Sequence, residues 1–188
     1  MFAPAPTLET DRLILRAPAA EDFEPWAAFA ADDETMRHLG GVQARSVAWR
    51  GICQVTGAWT IRGFSMFSVI EKSTGRWVGR LGPWQPQDWP GTEVGWGLSR
   101  EVWGKGYATE GASACMDYVF DVLDWSEAIH TIEPDNLASQ AVARRLGSTR
   151  LGPTRLPAPF EDMPVEAWGQ TREQWRARGR VSRSDSRK

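Results

Sequence analysis

The segment RLILR (12–16) alternates charged and apolar positions, the two-residue period of a half-buried strand, and Pro18 breaks it. Glu21, Asp22 and Glu24 then precede Trp26, Phe29 and Ala30; an acidic first turn leading into an apolar face predicts a helix. A weaker helical pattern covers 47–59. FSMFSVIE (64–71) and WVGRLGPW (77–84) read as strands joined by KSTGR (72–76), with Gly75 supplying the turn of a hairpin. PQDWPG (86–91) is a loop. TEVGWGL (92–98) is a third consecutive strand, whose two glycines suggest a bulge or the close approach of a backbone or ligand.

After Gly106 the period changes. Ala108, Ala112, Cys115, Met116 and Val119 recur at helical spacing, with Glu110, Ser113, Asp117 and Asp121 on other faces. Gly111, inside this helix, costs about 1 kcal/mol relative to alanine and suggests close packing on the sheet. AIHTIE (128–133) is a short strand. PDNLASQAVARRLG (134–147) is a helix with Asn136 as N-cap, Val142 and Leu146 facing the core and Gly147 as C-terminal cap. Residues 148–175 hold two further strands around a Pro-rich loop. The order of elements is an α+β plan, with a central mixed sheet and helices on its faces.

A chain of 188 residues suits one domain, with 41% hydrophobic and 24% charged residues as in soluble globular proteins. No apolar run approaches the roughly 20 residues of a membrane helix, and the first residues lack a signal-peptide pattern, so a cytoplasmic protein with no membrane partner is expected. The net charge of −2 argues against a general nucleic-acid binder. Two cysteines and two histidines, isolated in sequence, point to no metal site. Cys115, on an apolar helix face, reads as a core residue rather than a nucleophile. Eleven tryptophans serve core packing, an acceptor pocket or a partner surface, and sequence does not sort them. The domain is expected over 1–175, followed by a basic, mobile or loosely helical tail at 176–188.

The chemistry concentrates in WGKGYA (103–108), directly before a helix. It is no Walker loop, because Gly106 follows Lys105 where Ser or Thr is needed and Ser99 stands six positions earlier. It is no dinucleotide fingerprint, because Thr109 stands where the third glycine belongs. Gly104 and Gly106 let successive amides converge, the helix start adds partial positive charge and Lys105 a full one. A diphosphate site and an ordinary strand-to-helix turn both fit this loop.

WGKGYATEG resembles motif A of the GNAT N-acetyltransferases. TDRLILR (10–16), TEVGWGL and DNLASQAVARRLG (135–147) resemble, in order, the opening strand, fourth strand and Asn-x-x-Ser helix of the branch that includes the ribosomal-protein N-terminal acetyltransferases. Glu101 stands where the motif has Gln or Arg, Gly111 replaces an alanine and Ser148 replaces a large apolar residue. The resemblance implies a single GNAT-like domain, with a mostly antiparallel sheet splayed between its fourth and fifth strands, 92–98 and 128–133. Acetyl-CoA would place its pantetheine arm in that gap, pairing with the strand edge at Trp96 and Leu98. The diphosphate would lie on Trp103, Gly104, Lys105, Gly106, Tyr107 and Ala108. Asn136 and Ser139 would contact the arm, although helix capping explains Asn136 equally well.

The family's reaction is direct attack of an amine on the thioester. Glu93 is the candidate base, or else a structural carboxylate, and a backbone N–H near Gly95 or Trp96 the oxyanion donor. Ser139 is the candidate catalytic residue at the departing thiolate. Only Tyr107 and Tyr118 exist to fill the tyrosine acid's place in the wider family, and both lie on the preceding helix region. Trp84, Trp89, Glu34 and Asp88 are candidates for attracting a cationic acceptor, a small-molecule amine or a protein N-terminus. The chain is expected to be a monomer or homodimer. A non-catalytic acyl-CoA sensor on the same fold is the alternative, and a nucleic-acid role for the tail a third.

Overall fold

The computed structural model describes residues 5–185, with side chains through Arg178. Eight strands form one sheet: β1 (Leu8–Glu9), β2 (Leu13–Arg16), β3 (Phe67–Glu71), β4 (Trp77–Trp84), β5 (Glu93–Leu98), β6 (Glu127–Ile132), β7 (Thr149–Thr154) and β8 (Val165–Thr171). Their spatial order is β1-β2-β3-β4-β5-β6-β8-β7. All neighbours are antiparallel except β5 and β6, which run parallel. The short β1 precedes the strand expected first, so the fourth and fifth expected strands are β5 and β6. The helices are α1 (Phe23–Ala31), α2 (Asp33–Met36), α3 (Arg45–Arg62), α4 (Tyr107–Asp121), α5 (Leu137–Leu146) and α6 (Arg172–Asp185).

Two cores hold the layers. On one face, Trp26, Phe29 and Ala30 of α1 and Ala48, Ile52 and Val55 of α3 pack with Met66 and Trp77. On the other, Ala112, Cys115, Met116 and Val119 of α4 cover Leu13, Val69, Leu81 and Val94. Burying one such side chain is worth about 1.5–3 kcal/mol. Gly111 has the expected packing role: a Cβ there would stand 2.6 Å from Leu81 Cδ2. Burial pushes the Cys115 thiol well up, as for an inert core residue.

The glycines of β5 have a different reason from the one expected. The β4–β5 register is unbroken from Gly79–Leu98 to Trp84–Glu93, so β5 carries no bulge. Glu93, Gly95 and Gly97 share the face toward α1. A Cβ at Gly95 would meet Met66 at 3.0 Å, and one at Gly97 would meet Leu39 at 2.9 Å and Phe29 at 3.2 Å. These glycines admit the helical layer, and Gly95 also lines the cavity described below.

α5 is capped as expected. The Asn136 side chain accepts from the Ser139 amide at 3.0 Å, and Gly147 takes the left-handed conformation that closes the helix. α6 runs from Arg172 to Asp185, so residues 176–185 of the expected tail lie within a helix. Trp175 donates to Asp117 at 2.8 Å and Arg176 pairs with Asp121 at 3.0 Å, which ties this helix to α4. Residues 186–188 of the expected tail lie outside the described residues. No described helix is long and apolar enough to cross a membrane.

Candidate active site

β5 and β6 pair at a single position, Glu93 with Ile129, before they part. The next rung of a parallel ladder would join the Thr131 amide to the Val94 carbonyl. Side chains take both partners instead. Thr131 N–H donates to Glu93 Oε1 at 3.1 Å, and Val94 O accepts from His130 Nδ1 at 2.7 Å. The strands are thus wedged apart without leaving either backbone group unpaired.

The His130 tautomer follows from its partners. A carbonyl only accepts, so Nδ1 carries the proton and Nε2 accepts from the Ser148 hydroxyl at 3.0 Å. Gln170 Nε2 donates to both Ser148 Oγ and Leu146 O, at 2.9 Å each. Burial pushes the imidazole down to about 4, so it is neutral at pH 7. Ser148, a departure from the family pattern, here completes the wedge.

Beyond the wedge, alternation turns the amide and carbonyl of Trp96 into the gap. Thr92 O bonds Ile129 N on that edge, and Leu98 O accepts from the Trp103 indole at 2.8 Å. Gly95 faces β4, opposite Gly82, which leaves Trp96 as the backbone donor of the expected pair. The Trp96 ring lies 4.8 Å from His130 and donates to Ser139 Oγ at 3.2 Å. Leu98 has a buried side chain and its carbonyl is occupied.

A cavity of about 510 Å³ opens from this gap toward α1 and α3. It brings together Glu93, Trp96, Asn136 and Ser139 with Trp26, Phe29, Trp84 and Trp89. Neither Tyr107 nor Tyr118 lines it: Tyr107 donates to Glu71 at 2.7 Å and Tyr118 packs on Phe67. Glu34 and Asp88 do not line it either. Glu34 pairs with Arg37, whereas Trp84 and Trp89 stand in the wall as expected.

Glu93 is 5% exposed. Burial raises its carboxyl to about 7, against the opposing pull of the Thr131 amide, the Trp89 indole, the Thr131 hydroxyl and Arg80. Trp89 Nε1 donates to Oε2 at 2.5 Å and Thr131 Oγ1 lies 3.0 Å from the same oxygen. Three donors meet roughly four lone-pair sites, so one acceptor position is open.

The Gly-Lys-Gly turn lies outside the cavity. Gly104 and Gly106 have φ of +76° and +81°, a left-handed backbone that only glycine adopts freely. Gly106 is the N-cap of α4, and no side chain caps this start. The first amides of α4 therefore point outward as unsatisfied donors. Lys105 is half-exposed, 3.5 Å from Glu71. Arg12, which sequence reasoning passed over as a strand residue, braces the turn: it donates to Lys105 O at 2.9 Å and lies over the Tyr107 ring. Trp103 is 50% exposed beside it.

His38 is isolated in sequence, but the fold sets it 3.2 Å from Glu133 and 3.8 Å from Asp135. These contacts fasten the segment after α2 to the end of β6. Sequence also hid Thr131, the His130 wedge and Arg80; the one signal for the last was a charge within the apolar strand WVGRLGPW.

A family model described as the Acetyltransferase (GNAT) domain matches residues 12–149. An uncharacterized protein of Bacillus subtilis (strain 168), YkkB, is 31% identical over 150 residues, spanning 74% of this chain and 83% of that protein. An acetyltransferase structure from Agrobacterium tumefaciens str. C58 superposes with a TM-score of 0.78 at 30% identity, covering 90% of this chain and 96% of that one. The Microcin C7 self immunity acetyltransferase MccE, solved with acetyl-CoA and AMP, shares the fold: TM-score 0.71, 16% identity, coverage 86% and 93%.

Proposed function

The chain belongs to the GNAT acetyltransferase family, and on that premise we propose that it transfers the acetyl group of acetyl-CoA to a primary amine by direct attack. The observation that carries this reading is the wedge: β5 and β6 part after one rung, beside a buried carboxyl and next to an uncapped helix start.

Acetyl-CoA supplies a thioester electrophile. The residues present fit its two anchoring needs. The left-handed turn at Gly104 and Gly106 and the open amides of α4 suit a diphosphate, with Lys105 adding charge and Trp103 a flat apolar neighbour. The Trp96 edge, Asn136 and Ser139 line the same cavity as Glu93, which suits the arm of the cofactor. The Leu98 carbonyl is held by the Trp103 indole, and its amide, two residues on from Trp96, shares the gap-facing edge.

Within this site Glu93 accepts a proton from the attacking amine, directly or through a water, at its open lone-pair position. A carboxyl that titrates near 7 is matched to this task. The Trp96 amide is oriented to stabilise the tetrahedral oxyanion. Ser139, held by the Trp96 indole, can donate its hydroxyl proton toward the departing thiolate. The acceptor enters through the cavity between α1, α3 and the PQDWPG loop. The alternative is a non-catalytic acyl-CoA-binding module. Thiol release from acetyl-CoA, measured over a panel of amines, separates the two. Acceptor-dependent release is expected, whereas binding without release from any amine would support the module.

A further inference from the structure

Arg80 stands in the middle of β4, opposite Gly97 on one side and Ser68 on the other. Neither neighbour can neutralise it. Gly97 has no side chain, and the Ser68 hydroxyl donates to Asp22, which Arg16 already pairs at 2.7 Å. Among the described residues Arg80 has no ion pair. Its one hydrogen-bond contact is the Met66 thioether at 2.8 Å, a weak acceptor for one of five donors. Its guanidinium lies 5.5 Å from the centre of the Trp26 ring, and the side chain lines the same cavity as Glu93. Glu93 acts on it only through space: the two charges attract each other, but no hydrogen bond or ion pair joins them among the described residues.

A partly enclosed guanidinium with idle donors is costly unless something fills its fork. Burial lowers Arg80 to about 10, so it stays cationic at neutral pH. The planar fork matches a carboxylate bidentately. The cavity it lines is also walled by Phe29, Trp84, Trp89, Phe160 and Met66, an aromatic and thioether surface. A peptide N-terminus offers this fork only a neutral amide carbonyl.

We infer that the acceptor is an apolar amino acid or a close amino-carboxylate, whose carboxylate is held by Arg80 while its amine lies at Glu93 and its side chain packs on the aromatic wall. This rests on the acetyl-transfer reading for the amine's fate, but not for the carboxylate's anchorage.

The test pairs L-phenylalanine, L-tryptophan and L-methionine each with its decarboxylated amine. Binding to the full-length protein with CoA present is measured by calorimetry, and acetylation by mass spectrometry, for wild type, Arg80→Met and Arg80→Lys. At least one amino acid is expected to bind about 100-fold more tightly than its amine, the scale of hydrogen bonds to a charged group. That ratio should collapse toward one in Arg80→Met and be partly kept in Arg80→Lys. Equal ratios in wild type and Arg80→Met, preference for the decarboxylated amines or no binding of any of the three amino acids overturns the inference. If Arg80→Met fails to fold, as its melting curve would show, the wild-type ratio and Arg80→Lys decide. Arg80-dependent binding without acetylation would sustain the anchorage and refute acetyl transfer. Acetylation of the amines alone would do the reverse.

Discussion

Replacing Glu93 by glutamine tests the catalytic assignment through pH. The carboxyl is raised from 4.5 to about 7 by burial. If its ionised form accepts the amine proton, the ionised fraction rises from roughly one tenth at pH 6 to roughly nine tenths at pH 8. kcat/KM should therefore climb about tenfold across that interval and then level. The acceptor should be an arylamine, whose own titration lies below the range scanned, so that the limb reports the enzyme. Glu93→Gln should lose about 100-fold in rate and the limb with it. Stability gives a second check, with the sign set by the raised pKa. The folded form binds a proton that the unfolded form releases, so this contribution is complete below about pH 4.5 and fades as pH rises through 7. The difference of about 2.5 pH units corresponds to at most about 3 kcal/mol. Chemical denaturation of wild type at pH 5 and 8 should show that loss, and Glu93→Gln should not. An unchanged limb in the variant would refute the base assignment.

Three further outcomes follow from the same geometry. Gly106→Ala forces a side chain into a left-handed backbone at a cost of about 1–2 kcal/mol, and should weaken acetyl-CoA binding tenfold or more in calorimetry. Gly63→Ala, with a φ of +78° at the C-terminal cap of α3, should leave that affinity alone; equal effects would remove the diphosphate from the turn. His130→Phe keeps the ring volume but strips Val94 O and Ser148 of a partner, so denaturation should show a loss of about 1–3 kcal/mol and KM for acetyl-CoA should shift. An unchanged KM would mean that the wedge does not shape the gap. Ser139→Ala should lower kcat about tenfold with little change in acceptor KM if its hydroxyl serves the thiolate; no change would leave it as an anchor for Trp96.

Local rules carried the sequence reading a long way. The alternation of RLILR, the hairpin at Gly75 and the Asn136 and Gly147 caps are all set within a few residues, and each stands where the pattern put it. β1 and α2 were missed because two- and four-residue elements are too short to show a period. The bulge expected at the glycines of β5 is absent, since sequence shows which face they share but not that Leu39 and Phe29 arrive there. The working parts of the site were least legible. The Glu93 environment depends on Trp89 and Thr131, and the wedge on His130 meeting Val94, a contact across 36 residues. Composition suggested isolated histidines, and only folding sets His38 against Glu133.

The central claim is direct transfer from thioester to amine. Acetyl-CoA labelled in its acetyl group, incubated with the protein and the amine panel and read by intact mass, tests it most directly. The label should appear on the nitrogen of an acceptor and, with acetyl-CoA alone, nowhere on the protein, in keeping with a Cys115 thiol shut inside the core and an exposed Cys53 that does not line the cavity. An acetylated protein formed before any amine is added, and discharged when one arrives, would contradict direct attack. A label that never leaves coenzyme A with any amine would contradict transfer itself.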